Sequence, residues 1–105
     1  MPSPEVNEYR ERDIESFLTA FVEWLGGETR KVKWIGRRNA PDRYVMLPWG
    51  CFWLELKRPG KEPTAPQRRE HEVMREYGDR VEWANTKQRI GELCQKPRGW
   101  CKREV

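Results

Sequence analysis

The stretch "APDRYVMLPWGCFWLELK", Ala40 to Lys57, constrains this chain more than any other. Two β-forming runs, "RYVML" and "CFWLELK", flank the tight turn Pro48 to Gly50 and read as a hairpin. Side chains alternate across a strand, so Phe52, Leu54 and Leu56 face one way while Trp53, Glu55 and Lys57 face the other. The first set suits a core. Asp42 stands just before the earlier run, and the turn folds that run back, bringing Asp42 near the end that carries Glu55 and Lys57. Charges in such a setting are expensive unless they are paired or bind something. The spacing delivers two carboxylates and an ammonium to one spot, the set that a hard divalent cation and a phosphate need. The candidate chemistry is hydrolysis of a phosphodiester. A metal polarises the phosphorus centre and lowers the pKa of a bound water. Lys57 orients that water or stabilises the developing charge. A solvated Glu–Lys pair, worth about 0–1 kcal/mol, explains most E-x-K triplets. The apolar strand and the preceding "PD" favour a site.

The flanking sequence supplies the rest of a fold. From Arg10 to Leu25, residues Ile14, Phe17, Leu18, Phe21 and Leu25 recur at helical spacing, and Gly26-Gly27 stops the helix. "TRKVKWI", Thr29 to Ile35, reads as a strand, and Gly36 to Asp42 as a loop. The Pro-rich connection from Arg58 leads to a helix from Thr64 to about Tyr77, with Gly78 as its stop. "RVEWANT" reads as a strand, and Thr86 caps a last helix to about Gln95. The order α-β-β-β-α-β-α predicts an α/β fold with a mixed sheet flanked by helices. Its 105 residues suffice for one domain over 1–105, with loose ends at 1–9 and 96–105.

Composition narrows the classes. No apolar run approaches the roughly 18 residues of a membrane span, and the N-terminus lacks a hydrophobic signal core. The expectation is a soluble, cytoplasmic protein with no membrane partner. Lys and Arg outnumber Asp and Glu by 21 to 17, a net +4, which fits a nucleic-acid partner. Cys51, Cys94 and Cys101 are odd in number and form no C-x-x-C, so reduced, mostly buried thiols are expected rather than a disulfide framework or a structural zinc.

Four motifs occur in order: "ERDIESFL" at Glu11 to Leu18, "GRRNAPDR" at Gly36 to Arg43, "FWLELKRPG" at Phe52 to Gly60, and "TAPQ" at Thr64 to Gln67. Together they resemble the VRR-NUC domain of the PD-(D/E)xK nuclease superfamily over roughly residues 10 to 90. The resemblance implies an αβββαβ, restriction-endonuclease-like core and a Mg²⁺- or Mn²⁺-dependent endodeoxyribonuclease. Stand-alone members of viral type are similar to Holliday junction resolvases and dimeric, so branched DNA, a homodimer, no small-molecule cofactor and a phage or prophage origin in a bacterial host are implied. The family's small loop residues are partly replaced here by Arg37, Arg38 and Asn39, which puts substrate geometry in question.

The same resemblance carries site roles onto Asp42, Glu55 and Lys57, with Asp42 and Glu55 as metal ligands. It adds Glu15 as the helix glutamate near the metal, with Glu11 a rival one turn earlier. Gln67 is a further site member, although Thr64 to Gln67 also forms a T-x-x-Q capping box. His71 reads as a solvated helix residue. The DNA-binding cations are Arg37, Arg38, Arg43, Arg58, Lys61 and Arg68, with Arg30, Lys31, Lys33 and Arg69 beside them. Trp49 either wedges a junction or packs. Two other readings remain: a non-catalytic nucleic-acid-binding module on the same fold, and a partner-binding protein whose six Trp form an interface.

Overall fold

A computed structural model describes residues 11–102. The lead-in expected over 1–9 and the last three residues of the tail lie outside that range. Helix α1 (Glu11–Trp24) is followed by strands β1 (Glu28–Lys31), β2 (Arg43–Leu47) and β3 (Gly50–Leu56). Helix α2 (Ala65–Glu76), strand β4 (Val81–Ala84) and helix α3 (Lys87–Leu93) complete the order. The sheet runs β1-β2-β3-β4. The first three strands are antiparallel, and β4 joins β3 in parallel, so the sheet is mixed as expected. No described helix is long and apolar enough to cross a membrane.

The hairpin sets the register. Leu47 pairs with Gly50 across a turn of two residues, Pro48 and Trp49, and the ladder runs back to Arg43 opposite Leu54. Every second residue therefore falls on the same face. Val45, Leu47, Phe52, Leu54 and Leu56 pack against Ile14, Leu18 and Val22 of α1 and Ile90 and Leu93 of α3, forming one core. Full burial of each such side chain stabilises by about 1.5–3 kcal/mol. Helix α1 reaches the sheet through Gly26 and Gly27. Gly26 takes φ 90°, and a Cβ on Gly27 would lie 2.2 Å from the Met46 carbonyl oxygen, so no side chain fits there.

Strand β1 is shorter than its β-forming sequence suggests. The last ladder-like bond is Val32 N–H to the Asp42 carbonyl, 2.8 Å, and the chain then leaves the sheet. Trp34 turns its indole Nε1 onto the Pro41 carbonyl at 2.8 Å, while Gly36 and Asn39 adopt positive φ. Ile35 is left 94% exposed. Among the described residues after α3 there is no further helix or strand, but Trp100 packs edge-on to Trp49 with ring centroids 5.4 Å apart. Trp49 also packs against the core, so packing accounts for it. The thiols do not behave as one group. Cys94 is buried, and burial pushes its pKa up to about 11, while Cys51 and Cys101 are exposed.

Candidate active site

The sheet face opposite the core carries the chemistry. Asp42 lies one step beyond the last β2–β3 pair, and the same register carried on sets it opposite Glu55. Directly opposed residues on antiparallel strands hold their Cβ atoms about 4.5–5.5 Å apart, which is within bridging reach of one cation. Lys57 follows two residues later on the same face, its N–H bonded to the Ala84 carbonyl at 2.9 Å. Among the described residues its ammonium makes no ion pair. On the other side of the carboxylates stand Trp53 and Tyr44, with ring centroids 4.8 Å apart, and Trp34 packs on Trp53 at 5.2 Å. The aromatic group thus stands on one flank of the carboxylates and Lys57 on the other.

Helix α2 covers this face. Thr64 and Gln67 form the capping box: the Thr64 hydroxyl accepts from Gln67 N–H, and Gln67 Oε1 accepts from Thr64 N–H at 2.9 Å. Gln67 thus spends its carbonyl oxygen on the helix start. One turn on, the inward stripe is Glu70, His71 and Met74. His71 is 1% exposed rather than solvated, and its Nε2 lies 3.5 Å from Glu55 Oε1. Glu55 is itself 8% exposed. Neither of these two atoms has a hydrogen-bond partner. The stripe was hidden in the sequence because two of its three positions, Glu70 and His71, are polar, and apolar periodicity cannot register them.

Two expected site residues go elsewhere. Arg43 and Glu15 lie on the core side of the sheet, across from Asp42 and Glu55. Arg43 Nη2 pairs with Glu15 Oε1 at 2.6 Å, and Arg43 is only 7% exposed. Arg43 is therefore an internal anchor between β2 and α1, not a docking cation. Glu15 is its counter-ion. Among the described residues no three His, Cys, Asp or Glu side chains converge as a metal cage. Asp42 and Glu55 nevertheless fit a hard cation that takes one or two carboxylates and completes its shell with water and phosphate oxygens. The opposition of the two carboxylates in the β2–β3 register is the observation that favours this fit.

The cations divide in the same way. Arg37 binds Glu70 through both carboxylate oxygens, with Nε to Oε2 at 3.0 Å, tying the 36–39 loop to α2. This contact holds the Glu70 carboxyl below its ordinary value, opposed by partial burial, and raises Arg37. Arg68 pairs with Glu62 at 2.7 Å and lies over the Trp83 ring, and Arg30 pairs with Glu28 at 2.9 Å. Lys31, Lys33, Arg38, Arg58, Lys61 and Arg69 make no ion pair among the described residues. Lys31 and Lys33 line a cleft of about 590 Å³ whose wall includes Asp42, Trp34 and Arg37. A neighbouring cleft of about 390 Å³ is lined by Arg37, Arg38, Arg69 and Glu70. A basic approach thus leads to Asp42.

Comparison with known proteins agrees with this architecture. No family model matches the chain. A protein named as a nuclease, p44, of Acyrthosiphon pisum secondary endosymbiont phage 1, is 42% identical over 73 residues, 69% of this chain and 78% of its own length. A solved structure described as a VRR_NUC domain superposes with a TM-score of 0.71 at 33% identity, over 79% of this chain and 91% of that one.

Proposed function

The chain belongs to the VRR-NUC family, and from that premise we propose that it is a metal-dependent DNA endonuclease that hydrolyses phosphodiester bonds at branched structures. The observation that carries the reading is the opposition of Asp42 and Glu55 on the face opposite the core, with Asp42 also lining a cleft that carries Lys31 and Lys33. Binding alone would not require acidic side chains where phosphates approach.

In this reading Lys31, Lys33 and Arg38 draw the DNA backbone into the cleft, and the affinity falls as salt rises. Asp42 and Glu55 would hold Mg²⁺ or Mn²⁺, which supplies Lewis-acid charge beside the scissile phosphate. Lys57, next along the same face, donates to a phosphate oxygen and offsets the charge that grows in the transition state. A homodimer places two such sites about a dyad, as symmetric cutting of a four-way junction requires.

The test is a gel shift in Ca²⁺ beside a cleavage assay in Mg²⁺ on plasmid and four-way junction DNA. Asp42→Asn and Glu55→Gln should bind DNA as well as the native chain or better, since each removes a charge that repels phosphate, and should not cut. Lys57→Ala should cut slowly, by about 10²–10³-fold, while keeping its metal. Native-like cutting by either carboxylate variant would sink the site as drawn.

A further inference from the structure

We propose that His71 is a positioning residue for Glu55, with a Nε2–H that holds one carboxylate oxygen so that the other is presented to the cation. This rests on the metal site argued above and adds to it a residue from a different element. His71 is 1% exposed, on the inner stripe of α2, and its Nε2 lies 3.5 Å from Glu55 Oε1. Both atoms are buried and both lack a hydrogen-bond partner. Two complementary orphans facing each other differ from two unrelated vacancies. A proton on Nε2 makes that atom a donor, and an ionised carboxylate can only accept.

The separation is informative. It exceeds the 2.7–3.2 Å of a formed N–H···O bond by only a few tenths of an ångström, too little to admit a bridging water. Closing it needs a small rotation of one side chain. Glu55 keeps about a tenth of its side-chain surface, 11%, and none of it lies on Oε1. The accessible remainder of the side chain therefore lies away from Oε1, and Oε1 faces His71 on α2. Ligating carboxylates that are fixed by an outer hydrogen bond bind metal more tightly, and loss of such a partner typically costs 10–100-fold. The capping box at Thr64 and Gln67 contributes by fixing where α2 starts, and hence how His71 meets the sheet.

The experiment titrates the full chain with Mn²⁺ alone and follows binding by calorimetry, with thermal melts recorded for every variant. His71→Phe fills the space without a donor, and His71→Met does so with a more adaptable side chain, in case the ring does not pack. His71→Gln keeps an N–H near the position of Nε2. The expected result is Mn²⁺ affinity about 10–100-fold weaker in the apolar variants and largely restored in His71→Gln, with melting temperatures that do not follow this order. Native affinity in a folded apolar variant would overturn the proposal while leaving the metal site intact. Equal weakness in all the folded variants would also overturn it, by reducing His71 to packing. Absence of Mn²⁺ binding in the native chain would overturn the metal site itself, and the role of His71 with it.

Discussion

Arg43 and Asp42 are neighbours in the chain with opposite fates, because alternation sends one to the core and the other to the cleft. Arg43 keeps its charge inside by pairing with Glu15, although its Nε remains without a partner. Glu15→Gln should therefore act on stability. Removing the counter-ion of a largely buried guanidinium costs about 1–3 kcal/mol, the lower end being favoured because Glu15 is itself partly exposed. Urea unfolding would read the loss, and a Mn²⁺ titration of the same variant should be unchanged. A fall in metal affinity without a fall in stability would return Glu15 to the metal site. At this scale the sequence was partly legible. The hairpin register put Asp42, Glu55 and Lys57 together from spacing alone. Glu15 was placed near the metal by family position and Arg43 among the DNA cations because it flanks the site in sequence, whereas alternation from Val45 turns Arg43 to the core face, where it pairs with Glu15. Gln67 was readable both ways, and its oxygen lies on the cap.

Among the elements, α2 and the 36–39 loop do most to shape the cleft. They meet through Arg37 and Glu70, 33 residues apart, so neither periodicity nor local spacing could have revealed the contact. The extent of β1 was overestimated for a similar reason. Lys33, Trp34 and Ile35 look β-forming, but Trp34 gains more by bonding the Pro41 carbonyl and packing on Trp53. The ion pair carries a pH dependence. The carboxyl of Glu70 is held below its ordinary value of 4.5, chiefly by the Arg37 hydrogen bond. A group shifted down in the folded state adds stability above its unfolded pKa and loses it as pH falls through the folded one. Native protein should therefore exceed Glu70→Gln in stability at neutral pH. The gap should close below about pH 4.5, as denaturant melts across an acid series would report. A gap that widened on acidification would exclude this loop contact as its source.

Among the described residues each chain presents the Asp42–Glu55 pair and several large apolar side chains outside the core. Trp24 is 79% exposed, at the end of a stacked row with Phe17 and Phe21 along α1. The proposed dimer would bury such surface, and a twofold contact is self-complementary. Light scattering at micromolar concentration should give about twice 12.7 kDa. A monomer mass that persists with four-way junction DNA would remove the dimer from the mechanism. The sheet has a further consequence. It is open, with β1 and β4 at its margins, and open margins invite strand addition by other copies of a chain. Here each margin spans four residues, and β1 reads Glu-Thr-Arg-Lys. The short length of both margins and the charge of β1 resist such stacking. Protection against stacking is thus built into the strand that also carries Lys31 to the cleft, and replacing its charges with apolar residues would favour filaments.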